Sequence, residues 1–136
     1  MAGNLPPSGV ILRLREVCER RPQEMTGKSV RVMGKLASHN VIQRQAAITS
    51  AERNDQQSRL NIDTKLIEPF DARLGSIFQF IGELEISALS GELVLCARVV
   101  QCIDGIDVAM YYNALDLQRE YLESSRNELS AGAVAR

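Results

Sequence analysis

The sequence predicts a small barrel of five short β-strands followed by one C-terminal α-helix. Three observations lead to this fold class: five strand-length segments with alternating or wholly apolar residues, a glycine in the middle of the first segment, and a final segment whose apolar residues recur at helical spacing. With 136 residues, of which 45% are hydrophobic, the chain is long enough for one domain with its own core. We expect that domain over residues 10–126, a disordered lead over 1–9 and a disordered tail over 127–136.

The first segments carry the clearest bend signal. Residues 10–19 predict a short strand and one helical turn, ended by Pro22. In the first full strand, over 30–36, apolar residues alternate with more polar ones. Gly34 lies in its middle, where a glycine is costly unless the strand bends. A second, weaker strand covers 46–51.

The third strand lies between two connections. A polar hairpin loop covers 52–58, and apolar and polar residues then alternate over 59–64. A looser connection over 64–74 follows, and it contains Pro69, which disfavours regular structure there. This arrangement predicts one hairpin and then a longer crossing to the next strand.

The last two strands lead directly into the helix. The fourth strand, over 76–86, is apolar on both sides, so we expect it to be central. A turn over 87–92 leads to the fifth strand, over 93–103, and Asp104-Gly105 turns the chain. Asp107 is a suitable N-cap for the final helix, which we expect to end near residue 126.

Together these elements describe a five-stranded Greek-key barrel of the OB type with a C-terminal helix. A small β-sandwich and an α+β sheet are the alternatives that the same pattern allows. We see no internal repeat, and no linker divides the sequence into further domains.

The final helix carries more apolar surface than one supporting domain requires. Its apolar residues form two rows about 120° apart at roughly 100° per residue, which makes the apolar arc wider than the usual ~100°. The first row is Val108, Tyr111, Leu115 and Leu122, and the second is Met110, Ala114, Leu117 and Tyr121. We expect the first row to be buried within the chain and the second to bind a partner; burial of both rows within the chain is the alternative.

Composition narrows the class of protein. Sixteen basic and seventeen acidic residues give a net charge of -1, whereas proteins that bind nucleic acid on their own are usually basic. Three cysteines without Cys-x-x-Cys spacing indicate reduced thiols and no zinc site. The first nine residues do not resemble a signal peptide, and no apolar run approaches the ~20 residues of a membrane span. We therefore expect a soluble intracellular protein that requires no cofactor or metal.

Residues for catalysis are scarce. His39, the sole histidine, is expected in a loop after the first strand, where a solvated role is the simpler interpretation. Without it, no Ser/His/Asp or Cys/His set is available. Glu83 and Glu85 lie on one face of the fourth strand, which is typical of a charged outer face rather than of acid/base catalysis. We expect no enzyme activity.

Evidence for nucleic-acid binding is partial. OB barrels bind single strands on the outer face of their second and third strands, with aromatic residues in a basic groove. That region and its surroundings offer basic candidates but no aromatic residue, and tryptophan is absent from the chain. The weak candidates are Arg31, Lys35, Arg44, Arg59 and Lys65. A solvated barrel surface is the simpler interpretation of these residues.

Several runs of the sequence resemble one known family, the smallest (Ten) subunit of the CST telomere complex. The likeness covers about residues 14–125 and is most specific between Lys65 and Leu84. The matching runs are Arg31–Leu36, Thr64–Phe70, Leu74–Ser76, Ile81–Leu84, Ala97–Cys102, Asp104-Gly105 and the final helix around Gln118, Arg119 and Tyr121.

The resemblance implies an OB barrel whose C-terminal helix pairs with the middle subunit of CST. The pair joins a large subunit that carries most of the binding of single-stranded telomeric DNA. The assembly protects chromosome ends, limits telomerase and recruits DNA polymerase alpha–primase to fill in the complementary strand. It implies a location in the nucleus, at telomeres.

We therefore expect a non-catalytic OB-fold subunit of a telomeric heterotrimer, with Met110, Ala114, Leu117 and Tyr121 as its partner-binding residues. The alternatives are the small OB subunit of a complex like replication protein A and a free-standing binder of single-stranded nucleic acid. A hydrolase using Glu83 and Glu85 would need a cleft around them.

Overall fold

The computed structural model describes residues 9–134 and the side chains as far as Asn127. Residues 1–8 of the predicted lead and 135–136 of the predicted tail lie outside the described residues. The chain divides into two units, Met1–Asp104 and Gly105–Arg136. The first unit holds all the strands and the second holds the long helix. The elements are β1 (Val10–Ile11), α1 (Leu14–Glu19), α2 (Pro22–Met25), β2 (Ser29–Asn40), β3 (Gln45–Thr49), β4 (Arg59–Asp63), β5 (Ile77–Ile86), β6 (Leu93–Cys102) and α3 (Val108–Val134).

The first unit is a closed five-stranded barrel, which confirms the predicted OB architecture and excludes the sandwich and the open α+β sheet. Strand β2 pairs antiparallel with both β3 and β5, and β3 pairs antiparallel with β4. Strand β6 closes the circuit because it pairs parallel with β4 and antiparallel with β5. As predicted, β5 is therefore flanked on both sides. The two-residue β1 adds a parallel pair at the start of β2.

Strand β2 changes partner halfway along its length. Its first part, from Ser29 to Lys35, pairs with β5, and its second part, from Lys35 to Asn40, pairs with β3. Gly34 lies beside this change, where a Cβ atom would be only 2.8 Å from the carbonyl oxygen of Thr49. The glycine therefore permits a close approach of two backbones, and the irregularity in the pairing of β2 lies slightly later, between Leu36 and Ser38.

The apolar residues that alternate along the strands fill the barrel. The core receives Leu14 and Val17 from α1 and Met25 from α2, so the N-terminal helices add to it. Phe70, in the 64–74 connection, packs edge-on against Phe78 and Phe80 with ring centroids 5.9 and 6.5 Å apart. The strand residues of the core are Val30, Val32, Leu36, Ala46, Ile48, Leu60, Ile62, Phe78, Phe80, Leu84, Leu95 and Ala97.

Two elements of the first unit differ from the prediction. Strand β2 continues to Asn40, so His39 lies within a strand and pairs with Ala46 rather than lying in a loop. Its last residues are polar on both faces, and the apolar alternation therefore stops before the backbone pairing does. Pro22 does not merely end a helical turn, since it is the first residue of α2, where its missing N–H costs nothing.

The second unit is dominated by α3. The helix begins as predicted, because the backbone N–H of Met110 donates to Oδ1 of Asp107 at 3.0 Å. The structure places α3 over Val108–Val134, so the helix was predicted too short and continues through most of the stretch assigned to a disordered tail. The part of that stretch up to Val134 contains good helix formers, including Glu128, Leu129 and two alanines, and its single glycine costs only ~1 kcal/mol. Among the described residues, no helix is long and apolar enough to cross a membrane.

Candidate partner interface

The exposed face of α3 is formed by the second predicted row. Met110, Leu117 and Tyr121 are 67%, 65% and 71% exposed, and Ala114 is exposed as well. At roughly 100° per residue, these four positions fall within an arc of about 60° on one side of the helix. The helix therefore presents a continuous apolar row on an ordered element. The assignment of this row to partner binding stays a prediction.

The buried face of α3 differs in part from the first predicted row. Leu115 is buried as expected, but the tyrosine that is buried is Tyr112 rather than Tyr111, and Leu122 is 53% exposed. Tyr112 and Leu115 lie about 160° from the exposed row at roughly 100° per residue, so the two rows are almost opposite. Positions 108, 112 and 115 also have helical spacing, and this was the signal available in the sequence.

The outer face of the barrel forms a groove of about 660 Å³ at the place where OB folds bind ligands. Strands β4, β5 and β6, together with Gln45 of β3, form its floor, and the β2–β3 and β5–β6 turns line its two sides. Two of the predicted basic residues, Arg44 and Lys65, share this groove. Arg44 has a φ of 54°, in the left-handed region, and its carbonyl accepts a bond from the backbone N–H of Thr64 at 2.9 Å.

The charges in this groove are balanced. Besides Arg44 and Lys65, it is lined by the acidic residues Asp63 and Glu85, and Nζ of Lys65 lies 3.8 Å from Oδ2 of Asp63. The remaining polar lining consists mainly of Gln43, Gln45, Asn61, Ser87 and Ser90. Among the described residues, no Phe, Tyr or Trp lines it. A groove without net positive charge or stacking rings is poorly suited to hold a single strand alone.

The other three basic candidates do not join this pair. Lys35 and Arg59 lie on either side of Thr49 in one cross-strand row over β2, β3 and β4. Arg31 lies earlier on β2, and its guanidinium is 3.3 Å from the side-chain amide of Gln79 when the amide oxygen faces it. The five residues are therefore spread over three places, and the structure does not assemble them into one basic patch.

His39 is tied to the neighbouring connection. Its Nε2 lies 2.9 Å from Oε1 of Glu68, and both side chains are largely buried. Its ring also packs edge-on against Phe70 with centroids 5.0 Å apart. Because Glu68 and Phe70 belong to the 64–74 connection, His39 anchors that connection to β2. This arrangement is structural, and it was missed because the sequence placed His39 in a loop.

The cysteines and the two glutamates of β5 are the other reactive groups considered in the sequence. Burial and the neighbouring Glu85 raise the pKa of the Cys96 thiol to about 11, so it is protonated at neutral pH and is a poor nucleophile. Burial also raises the pKa of Cys18. Glu83 and Glu85 are both exposed on β5. Within the part of the chain that the structure describes, no group of three or more acidic, histidine or cysteine side chains is placed to hold a metal ion.

Comparison with known proteins decides the family. A family model described as telomere-capping, CST complex subunit, matches residues 5–125. The chain belongs to this family. It is 35% identical to the CST complex subunit TEN1 of Arabidopsis thaliana over 93% of this chain and 96% of that protein. It is 34% identical to the human CST complex subunit TEN1 over 70% of this chain and 76% of that protein.

A solved structure supports the same fold. A chain of the S. pombe Stn1–Ten1 complex superposes with a TM-score of 0.63 over 85% of this chain and 96% of that chain. The sequence identity is only 11%, so this likeness concerns the fold alone. The resemblance inferred from the Arg31–Leu36 and Thr64–Leu84 runs is confirmed by the family match.

Proposed function

We propose that this chain is a non-catalytic subunit of the CST complex that acts by pairing with the middle subunit through the exposed row of α3. The observation that carries the proposal is the row itself: Met110, Ala114, Leu117 and Tyr121 lie together on an ordered helix and stay in contact with water. Apolar rows of this kind favour helix-on-helix packing, and Ala114 permits close approach of a second helix.

The family match supports the identity of the partner. A relative of the same fold has been crystallised as the S. pombe Stn1–Ten1 complex, which contains two different subunits. We infer a corresponding pair for this chain, which then joins a large subunit in the nucleus, at telomeres. There the assembly would protect chromosome ends, limit telomerase and promote fill-in of the complementary strand by DNA polymerase alpha–primase.

We further propose that single-stranded telomeric DNA binds mostly to the partner subunits. The groove carries as many acidic as basic side chains, and the basic candidates Arg31, Lys35 and Arg59 lie outside it. Phosphate neutralisation supplies most of the affinity of nucleic-acid binders, so five dispersed cations contribute little without partner residues beside them. A free-standing single-strand binder is therefore the weaker alternative, as is a subunit of a complex like replication protein A.

Co-purification of the two subunits tests the pairing. The double variant Leu117→Arg/Tyr121→Arg places two cations in the row, and we expect the variant to fold but not to co-purify with the middle subunit. The double variant Ala109→Arg/Glu123→Gln is the matched control, because it adds the same charge at exposed positions outside the row. Wild-type yield of the complex with the first variant, or equal loss with both, would refute the interface.

A further inference from the structure

The groove described above is bordered by two turns that expose large apolar side chains. At the β2–β3 turn, Ile42 is 94% exposed and its neighbour Val41 is 65% exposed. At the β5–β6 turn, Leu89 is 99% exposed and lines the groove directly. Turn tips normally carry small or polar residues. Leu89 belongs to the lining of the groove, whereas Val41 and Ile42 are chain neighbours of Gln43 and Arg44, the residues of their turn that line it. Single exposed apolar residues are common, but these two turns border the same groove.

Both turns are held by hydrogen bonds, which fix the backbone that carries the apolar side chains. In the first turn, the backbone N–H of Gln43 donates to Oδ1 of Asn40 at 3.0 Å. In the second, the N–H of Ser87 donates to the carbonyl of Glu92, and the N–H of Gly91 donates to the carbonyl of Ser87, both at 2.8 Å. A surface whose shape is fixed in advance loses less entropy when it binds a ligand.

The floor between the turns suits a ligand that both donates and accepts hydrogen bonds. The side-chain amides of Gln43, Gln45 and Asn61 can do both, and the two basic and two acidic side chains of the groove balance in charge. A polyanion would gain no net attraction from such a floor, and bases would find no ring on which to stack. An extended polypeptide matches the floor with its backbone and the rim with its side chains.

We propose that this groove binds an extended polypeptide segment of a partner protein, with apolar side chains of that segment seated against Ile42 and Leu89. The surface is separate from the exposed row of α3, so the chain has two places at which to bind polypeptide. The inference does not depend on the pairing through α3, because no residue of the groove lies on that helix.

Selection of displayed random peptides of about 12 residues on the full-length chain tests the proposal, since recognition of an extended segment needs only a few anchor side chains. We expect the selected peptides to share spaced apolar residues. The variant Ile42→Ser/Leu89→Ser is expected to weaken their binding by about tenfold or more, the loss typical of truncated interface anchors. The control Leu74→Ser removes a side chain that is 66% exposed but lies on neither of the two turns, and it is expected to have no effect.

Two results would overturn the proposal. One is that no peptide is enriched, or that the enriched peptides bind equally well to Ile42→Ser/Leu89→Ser. The other is that a fluorescent oligothymidylate of about 18 nucleotides binds the chain and displaces the selected peptides, because a strand of that length spans the site of a single OB fold. Loss of oligothymidylate binding in Arg44→Ala/Lys65→Ala would then identify the groove as a nucleic-acid site. Co-purification with the middle subunit is measured on the same variants. It reports on the pairing through α3, so a failure of the pairing can be told apart from a failure of peptide binding in the groove.

Discussion

Truncation of single residues in the α3 row gives the sharpest quantitative prediction. We expect Tyr121→Ala to weaken binding of the middle subunit most, Leu117→Ala to weaken it less, and Leu122→Ala to leave it almost unchanged. Leu122 is the matched control because it is also apolar and is 53% exposed, but it lies about 110° away from the centre of the row at roughly 100° per residue. Alanine is the best helix former, so none of the three substitutions is expected to disturb α3.

The magnitudes follow from the surface still available for burial. Leu117 is 65% exposed, so its complete burial contributes roughly 1–2 kcal/mol out of the ~1.5–3 kcal/mol of a whole side chain. Tyr121 is 71% exposed, and a tyrosine buries about 150–250 Å², which gives roughly 3–4 kcal/mol at ~25 cal/mol per Å². Because alanine retains its Cβ, we expect losses of about fivefold for Leu117→Ala and about 30-fold to 150-fold for Tyr121→Ala.

Isothermal titration calorimetry with the purified middle subunit measures these ratios, and chemical denaturation checks that the free energy of unfolding of each variant stays within ~0.5 kcal/mol of wild type. A larger effect of Leu122→Ala than of Leu117→Ala would refute the assignment, because it would move the interface to the other side of the exposed surface. Equal small effects for all three would show that the row is not buried by the partner.

Three further predictions concern the stability and chemistry of the chain. Asp107→Ala is expected to destabilise the first turn of α3 by ~1 kcal/mol, seen as faster amide exchange at Met110, whereas Asp107→Asn keeps the cap; equal exchange in both would contradict it. Gly82→Ala is expected to cost about 3 kcal/mol or more in chemical denaturation, because its Cβ would lie 2.1 Å from the carbonyl oxygen of Cys96, whereas Gly91→Ala meets no atom within 4 Å and costs only the strain of its positive φ. The pKa of Cys96 is raised from 9.0 to about 11, so as the pH rises the thiol ionises in the unfolded chain before it ionises in the folded one. The free energy of unfolding of wild type is therefore expected to fall between pH 9 and 11 more steeply than that of Cys96→Ala. Parallel curves for the two proteins would show that the thiol is not shielded.

The strands could be predicted from the sequence because, within a few residues, apolar side chains mark the face of each strand that points into the barrel. The alternation of Val30, Val32 and Leu36 and the apolar run around Phe78 and Phe80 in β5 reflect contacts with one core, and this local pattern is enough to place the two strands. The end of β2 could not be placed in this way. Its last residues are held by backbone pairing with β3, and polar side chains such as His39 give no sign of that pairing.

The start of α3 could be predicted from the sequence, and its end could not. Asp107 marks the start, since a capping residue acts on N–H groups only three positions away. The end had no such marker, and a run of small residues with one glycine reads equally well as helix or as coil. The apolar spacing also could not decide which of Tyr111 and Tyr112 is buried, because both positions lie next to Leu115 on the same side of the helix.

The candidate site divides into a part that periodicity reveals and a part that only three-dimensional pairing reveals. Met110 to Tyr121 is one continuous helical row, so its exposure could be anticipated from spacing alone. The groove brings together residues far apart in the chain, from Gln43 to Cys96, and its neutral charge depends on which carboxylates lie beside Arg44 and Lys65. The sequence offers Arg44 and Lys65 as weak candidates for DNA contact, but it does not show that Asp63 and Glu85 line the same groove.

This charge balance has a consequence for the whole assembly. The salt dependence of single-strand binding reports the number of phosphates that a protein neutralises, with a slope of about −0.7 per phosphate for single strands. If the partner subunits make the phosphate contacts, Arg44→Ala/Lys65→Ala in the assembled complex is expected to leave that slope unchanged. A slope that becomes shallower by about one unit or more would place DNA phosphates against these two residues, because two lost contacts correspond to roughly 1.4 units. The same measurement thus separates a subunit that binds polypeptide on both of its surfaces from one that shares the DNA with its partners.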